Sequence, residues 1–271
     1  PRKHLQGYDS MKITIFSSNQ PRHISLAKQL GKIADEVFFI SEVKTVFPGR
    51  VPDFFKKTEV MQNYFDNVIR SENNIFGNIG FLPNNVHTLS IKSGDLNFLA
   101  KEQLKDALQS DVYVVFGASY IKGWLIDFLV QNKAINIHMG ISPYYRGSSC
   151  NFWALYDNNP SYVGATIHML SEGLDSGDIL FHCLPKFVDG DTSFDFTMRS
   201  VLTAHIGLCQ SISEGRIFSM ERVSQDKSKE LRYTRNSDFT DEVANDFLNR
   251  QYSIDKTKLN NYPDLLNPLF Y

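Results

Sequence analysis

Through the first 140 residues, apolar runs of strand length alternate with stretches of helical periodicity, and this alternation constrains the fold more than any other feature. The runs are MKITIFSS (11–18), EVFFI (36–40), DVYVVFG (111–117) and AINIHMG (134–140). Strands with no polar face are those that a parallel sheet buries on both sides. Between them, SNQPRHISLAKQLGK offers Ser18 and Asn19 as helix caps and predicts an amphipathic helix ending near Gly31. TEVMQNYFDNVIRS sets Val60, Met61, Tyr64, Phe65, Val68 and Ile69 on one helical face. KEQLKDALQS (101–110) and GWLIDFLVQN (123–132) predict two more helices. The pattern predicts an α/β protein with a doubly wound, mostly parallel sheet, whose ligands bind beyond the carboxyl ends of the strands.

The second half reads differently. GATIHMLSEGLDSGDILF (164–181) predicts a hairpin with a turn of Ser, Gly and Asp. SFDFTMRSVLTAHIGLCQSISEG predicts a long helix stopped at Gly215, and DGDTSFD before it supplies its N-cap. Beyond about Phe218 the chain is polar and irregular, with a short helix near DEVANDFL and an apolar NPLFY tail that predicts either a partner surface or docking onto the core. Residues 1–10 are polar and precede a Met, so the natural start is expected at Met11, with 11–215 as one domain and 216–271 as a small extension packed on it.

Composition excludes several classes. A net charge of −2 gives no general attraction for nucleic acid. No apolar run reaches the length of a membrane span, and no secretory leader opens the chain, so a cytoplasmic place is expected. Cys150, Cys183 and Cys209 are widely spaced and include no CxxC, which predicts reduced packing residues rather than disulfides or a zinc site. No GxGxxG follows the first strand, which disfavours a dinucleotide-dependent oxidoreductase.

The chemistry concentrates in INIHMGISPYYRG (135–147). Side chains two apart on a strand point the same way, so Asn136 and His138 emerge together while Ile135 and Ile137 fill the other face. One reading is a buried strand running into a loop, with a histidine hydrogen-bonded in the core. The other is a reactive pair: an uncharged double donor for an oxyanion, beside a group that exchanges protons near neutral pH. The LDSGD turn offers Asp175 and Asp178, and Asp175 precedes the tight turn.

NIHMGISPYYRG, then NFWALYDN, then GATIHMLSEGLDSGDIL resemble, in order and spacing, the core of the folate-dependent formyltransferases. The resemblance spans about residues 11–215 and is strongest over 111–192. It implies the Rossmann-like formyltransferase catalytic fold, N10-formyltetrahydrofolate as cosubstrate and no metal, with Asn136, His138 and Asp175 as the catalytic triad. It also implies folate contacts from the VVFGASYIKG segment, at Phe116, Gly117, Ala118, Ser119 and Tyr120, and from the loop that holds Leu170, Gly173 and Leu174.

The acceptor implied is the amine of a nucleotide-linked amino sugar for surface polysaccharide. SSNQPRH stands where purine-pathway relatives carry a Gly-rich loop, and the short C-terminal region and lack of basic charge disfavour tRNA. Arg22 and His23 at the first helix suit an anionic ligand. Arg232 and Arg235 suit a pyrophosphate or are surface arginines. Tyr144, Tyr145, Phe152 and Trp153 stack on substrate or pack; Arg146 and Gly147 close the substrate loop, and Arg146 and Lys122 are candidate anion contacts. His168 touches substrate, supports the site or is simply buried, and His87 and His205 are structural. The resemblance leaves as alternatives a formyltetrahydrofolate hydrolase, a methionyl-tRNA formyltransferase-like enzyme and a binding protein without turnover; a homodimer is compatible with it.

Overall fold

The computed structural model describes residues 10–44, 57–250 and 253–271. All but Ser10 of the expected N-terminal extension therefore lies outside the described residues. The strands are β1 (Lys12–Ser18), β2 (Glu36–Val43), β3 (Val86–Lys92), β4 (Val112–Val115), β5 (Ile135–His138), β6 (Tyr145–Gly147), β7 (Ala165–Met169), β8 (Ile179–Leu184), β9 (Arg232–Thr234) and β10 (Leu269–Phe270). The helices are α1 (Pro21–Ile33), α2 (Glu59–Phe76), α3 (Gly123–Gln131), α4 (Cys150–Tyr156), α5 (Ser193–Ser213) and α6 (Asp241–Asn249).

One eight-stranded sheet runs in the order β10-β8-β7-β5-β4-β1-β2-β3, and β6 pairs with β9 in a small parallel sheet of their own. β3, β2, β1, β4 and β5 are mutually parallel; β7 runs antiparallel to β5 and β8, and β10 is parallel to β8. The predicted hairpin is β7–β8. The apolar tail docks onto the core as β10, where Leu269 and Phe270 lie beside Cys183 and Leu184.

Alternation along the strands divides the core. Ile13, Ile15 and Val37 pack with Leu26 and Leu30 of α1 and with Val201, Ala204 and Leu208 of α5 on one face. Phe16, Ile40, Tyr113 and Val115 meet Leu125 and Leu129 of α3 on the other. A third, aromatic cluster joins Tyr64 of α2, Phe152 and Trp153 of α4, Phe196 of α5 and Phe247 of α6. α5 starts on a reciprocal cap: the Thr192 hydroxyl accepts from the Asp195 amide at 3.1 Å, and the Asp195 carboxylate accepts from the Thr192 amide at 3.0 Å. It is followed by Gly215 at φ +72°.

Two expectations are corrected. Helix α1 is preceded by Gln20 rather than capped by Ser18 or Asn19, because Ser18 is still in β1 and Pro21 takes the first helical position. Residues 101–110 form a 3₁₀ turn, Lys101–Leu104, followed by turns, not an α-helix. The Ala107 carbonyl accepts from the Thr14 hydroxyl of β1 at 2.5 Å, which ties this turn to the sheet. Leu104 and Ala107 are thereby buried against the sheet.

Candidate active site

In a doubly wound sheet, the connections from two neighbouring parallel strands leave in opposite directions at a switch point, and a crevice opens beyond the carboxyl ends of those strands. Here that point lies between β1 and β4. A cavity of about 380 Å³ opens there, walled by the start of α1, the segment after β4, the end of β5 and the turn after β7.

β5 delivers Asn136 and His138 on one side while Ile135 and Ile137 enter the core on the other. Across the antiparallel pair, Asn136 is in register with His168 of β7. The chain then turns back through Asp175, whose backbone sits at φ +46°. His138 Nδ1 lies 3.2 Å from Asp175 Oδ2. Asn136 Nδ2 donates to Asp175 Oδ1 at 3.2 Å and lies 3.0 Å from His168 Nε2.

These contacts fix proton positions. His168 Nδ1 donates to the Met169 carbonyl at 2.8 Å, which leaves Nε2 as acceptor for the second Asn136 amide proton. Both protons of that amide are therefore engaged within the protein. His138 is buried, and burial alone would drive its proton off; the Asp175 carboxylate and, after it, Cys150 together outweigh this and raise the imidazole well above its ordinary 6.5. Asp175 shows the converse. Burial opposes its charge, but His138 holds it far below the usual carboxylate range. The resting pair is an imidazolium and a carboxylate.

Every residue expected at a folate site lines the cavity: Phe116, Gly117, Ala118, Ser119, Tyr120, Leu170, Gly173 and Leu174. Gly117 stands at φ +67°, and a Cβ there would come within 2.5 Å of His23 Nε2. The Tyr120 hydroxyl donates to the Glu172 carbonyl at 3.0 Å, joining two walls.

The expected substrate contacts divide. Arg22, His23, Gly147 and His168 line the cavity. Arg22, however, is ion-paired with the buried Glu72, and burial first, then the Arg22 charge, lowers His23 well below its ordinary value. Tyr144, Arg146, Trp153, Arg232 and Arg235 do not line it. Arg232 makes a bidentate pair with Asp157 at 2.9 and 2.7 Å and lies 4.6 Å from the centroid of the Trp153 ring, so its charge is committed to a carboxylate and an aromatic face. Arg146 pairs with Glu230 at 3.0 Å, the Tyr144 hydroxyl donates to the Asp264 carbonyl at 3.3 Å, and Arg235 is exposed beyond β9. His205 is buried between Phe76 and Phe116.

Two residues at the site carried no expectation of this kind. Cys150 places Sγ 3.5 Å from His138 Nε2. Glu42, at the end of β2, is 1% exposed and accepts from the Ser119 amide and hydroxyl, each at 2.6 Å, and from the Gly94 amide at 2.9 Å. An acidic residue ending an apolar strand run was the available signal for Glu42; the Cys150 contact had none. A second cavity of about 290 Å³ adjoins the first through Arg22, Met139 and Ser149, with Cys150, Phe152 and Phe194 among its walls.

An amide, an imidazolium and a carboxylate gathered at strand ends above an open cavity define a site for proton transfer and charge stabilisation on a bound small molecule. Among the described residues, no group of three or more His, Cys, Asp or Glu side chains could hold a metal ion, and no helix is long and apolar enough to cross a membrane. The formyl transferase family model matches residues 11–212, and the chain belongs to that family.

The methionyl-tRNA formyltransferase of Finegoldia magna is 32% identical over 152 residues, 51% of this chain and 47% of that protein. The chain thus aligns with about half the length of that relative. Two solved structures share the fold at low identity. A sugar N-formyltransferase from a Shewanella species gives a TM-score of 0.51 at 20% identity, covering 84% of this chain and 78% of that one. Glycinamide ribonucleotide transformylase 1 from Symbiobacterium toebii gives 0.51 at 18% identity, covering 83% and 99%.

Proposed function

We propose that this protein transfers the formyl group of N10-formyltetrahydrofolate to the primary amine of a nucleotide-linked amino sugar, as a step in making a surface polysaccharide. The observation that carries the reading is the His138–Asp175 pair beside Asn136, at the head of a cavity whose other walls are the segments expected to hold folate. The cavity suits a planar heterocycle: the backbone of Phe116–Tyr120 forms one wall, and Leu170, Leu174 and Tyr120 supply apolar surface. The folate supplies the formyl carbon that the amine attacks.

The protein's own groups then act as follows. Asp175 keeps a proton on His138 Nδ1, so that Nε2–H, which rests 3.5 Å from Cys150 Sγ, is the donor that passes to an oxygen gaining negative charge. Such a donor is worth about 10²–10³ in rate. Asn136 supplies a second donor by releasing His168 or Asp175. The Asp175 carboxylate, already ionised, receives the proton the amine loses, directly or through a water, and that proton passes to N10 as the bond between N10 and the formyl carbon breaks and tetrahydrofolate leaves. The adjoining cavity behind Ser149 would take the acceptor.

The sugar assignment rests on the residues. SSNQPRH lacks the Gly-rich loop that would cradle a phosphate at α1, and Glu72 already neutralises Arg22 there. With no net positive charge, the chain has no general hold on tRNA. The same reading takes residues 11–215 as the catalytic domain and 216–271 as its extension.

The test is release of tetrahydrofolate from N10-formyltetrahydrofolate, with and without a panel of nucleotide-linked 3-amino and 4-amino sugars. Release only in the presence of a sugar supports the proposal. Equal release without acceptor would make the protein a hydrolase, and none with any acceptor would leave it a binding protein.

A further inference from the structure

The chain beyond α5 returns across the turn that carries Asp175. Val223 and Ile179 exchange backbone hydrogen bonds at 3.0 and 2.8 Å. The Ser224 hydroxyl donates to Asp178 Oδ1 at 3.0 Å. The Gln225 amide then donates one proton to the Asp175 carbonyl at 2.9 Å and the other to the Gly177 carbonyl at 2.8 Å. Three consecutive residues from a distant part of the sequence therefore grip residues 175–179.

The grip falls where the backbone is least able to hold itself. Asp175 sits at φ +46°, a region disfavoured for a residue with a Cβ, and such a conformation persists only where its surroundings over-determine it. From the opposite side the turn is pressed onto β7: a Cβ on Gly177 would lie 1.7 Å from the Met169 carbonyl oxygen. Gln225 completes the clamp. Its own Oε1 is buried without a partner among the described residues, so only the two donated bonds set the amide's orientation. Flipping the amide would set an oxygen against two carbonyl oxygens.

We propose that Gln225 is a positioning residue: by binding both carbonyls of the turn it holds the Asp175 carboxylate against His138 Nδ1. Gln225 does not line the cavity and acts only through Asp175. The inference rests on the reading of Asp175 given above. The titratable groups that reach His138 are Asp175 at 3.2 Å, Cys150 at 3.5 Å and His168 with ring centroids 6.4 Å apart; Asp178 is held by Ser224. Of these, only Asp175 is anchored by Gln225.

The test compares Gln225→Met, which keeps length and loses both donors, and Gln225→Glu, which sets acceptors against the two carbonyls, with Ser224→Ala as control, all in the full chain. The readouts are kcat and KM for both substrates, the alkaline limb of the pH–rate profile, and an NMR titration of the His138 ring. A carboxylate misplaced by a fraction of an ångström should lower kcat about tenfold or more in Gln225→Met and further in Gln225→Glu, with KM held within about twofold. The alkaline limb and the His138 titration should both move to lower pH, and Ser224→Ala should move neither. A lower melting temperature with an unmoved His138 titration would overturn the proposal. The titration needs no turnover, so the clamp is tested even if no amino sugar proves to be an acceptor.

Discussion

His138 Nδ1 and Asp175 Oδ2 are 3.2 Å apart, with the histidine buried and the carboxylate nearly so. The two groups come from the end of β5 and from the turn after β7, 37 positions apart by their numbers, and each sustains the other's charge where burial would remove it. That mutual dependence fixes the sign of the pH behaviour. The contribution of His138 to stability is complete below its ordinary 6.5 and is lost as pH rises through its raised value. That of Asp175 is complete above its ordinary 3.8 and is lost as pH falls through its lowered value.

Asp175→Asn removes the anion and leaves burial as the dominant influence on His138, which then loses its proton below pH 6.5. The alkaline limb of the pH–rate profile should move down, and turnover at neutral pH should fall about 10² or more. Steady-state rates from pH 5 to 9 with both proteins check this. An unshifted limb would mean that another group controls it.

Arg232→Met should act on stability and not on substrate binding. Its guanidinium is committed to Asp157, whose Oδ2 also accepts from the Tyr145 hydroxyl at 3.1 Å, so the pair joins β9 to α4. The variant should lose about 1–2 kcal/mol in urea unfolding, at the low end for charged hydrogen bonds because the side chain is 34% exposed. Acceptor KM should stay within about twofold. A rise of ten-fold or more would return Arg232 to the substrate site.

Glu42→Gln puts an amide NH₂ where a buried carboxylate now accepts from the Ser119 and Gly94 donors. The segment from Gly117 to Tyr120 loses its tether to β2. KM for the folate substrate should rise about tenfold while kcat changes less than about threefold, with a stability loss of about 1–3 kcal/mol. Kinetics with folate varied at saturating acceptor separate the two effects.

Gly177→Ala should be more disruptive than either, since its Cβ would meet the Met169 backbone rather than a yielding side chain. The turn must open, carrying Asp175 away from His138. Loss of at least about 10² in kcat is expected, together with a lower melting temperature. Wild-type turnover in this variant would show that the turn tolerates the shift.

Legibility followed the range of the interactions. Asn136 and His138 could be paired because the two-residue repeat of a strand is local, and the apolar runs around them announce a sheet buried on both faces. Their meeting with Asp175 needed the resemblance of the whole motif, and the partnership of Asn136 with His168 depends on the register of β5 against β7, which no local rule sets. The arginines were the hardest to read. Arg232 looked available for phosphate because Asp157, 75 positions earlier, gave no sign that it would claim the guanidinium. Residues 101–110 are likewise tied over a long range, the Ala107 carbonyl accepting from the Thr14 hydroxyl 93 positions earlier. Gln225 and Glu42 likewise act over 48 to 77 positions through backbone groups, which leave no imprint on side-chain pattern.

The central claim is that Asn136, His138 and Asp175 act on the transferred group rather than on binding. Single-turnover transfer from N10-formyltetrahydrofolate to an accepted amino sugar, measured alongside the folate dissociation constant, tests it in Asn136→Ala, His138→Asn and Asp175→Asn. Each variant should transfer the formyl group about 10² times more slowly or worse while binding folate within about threefold of the parent. Transfer at the parent rate in all three, or folate binding lost in step with transfer, would contradict the account.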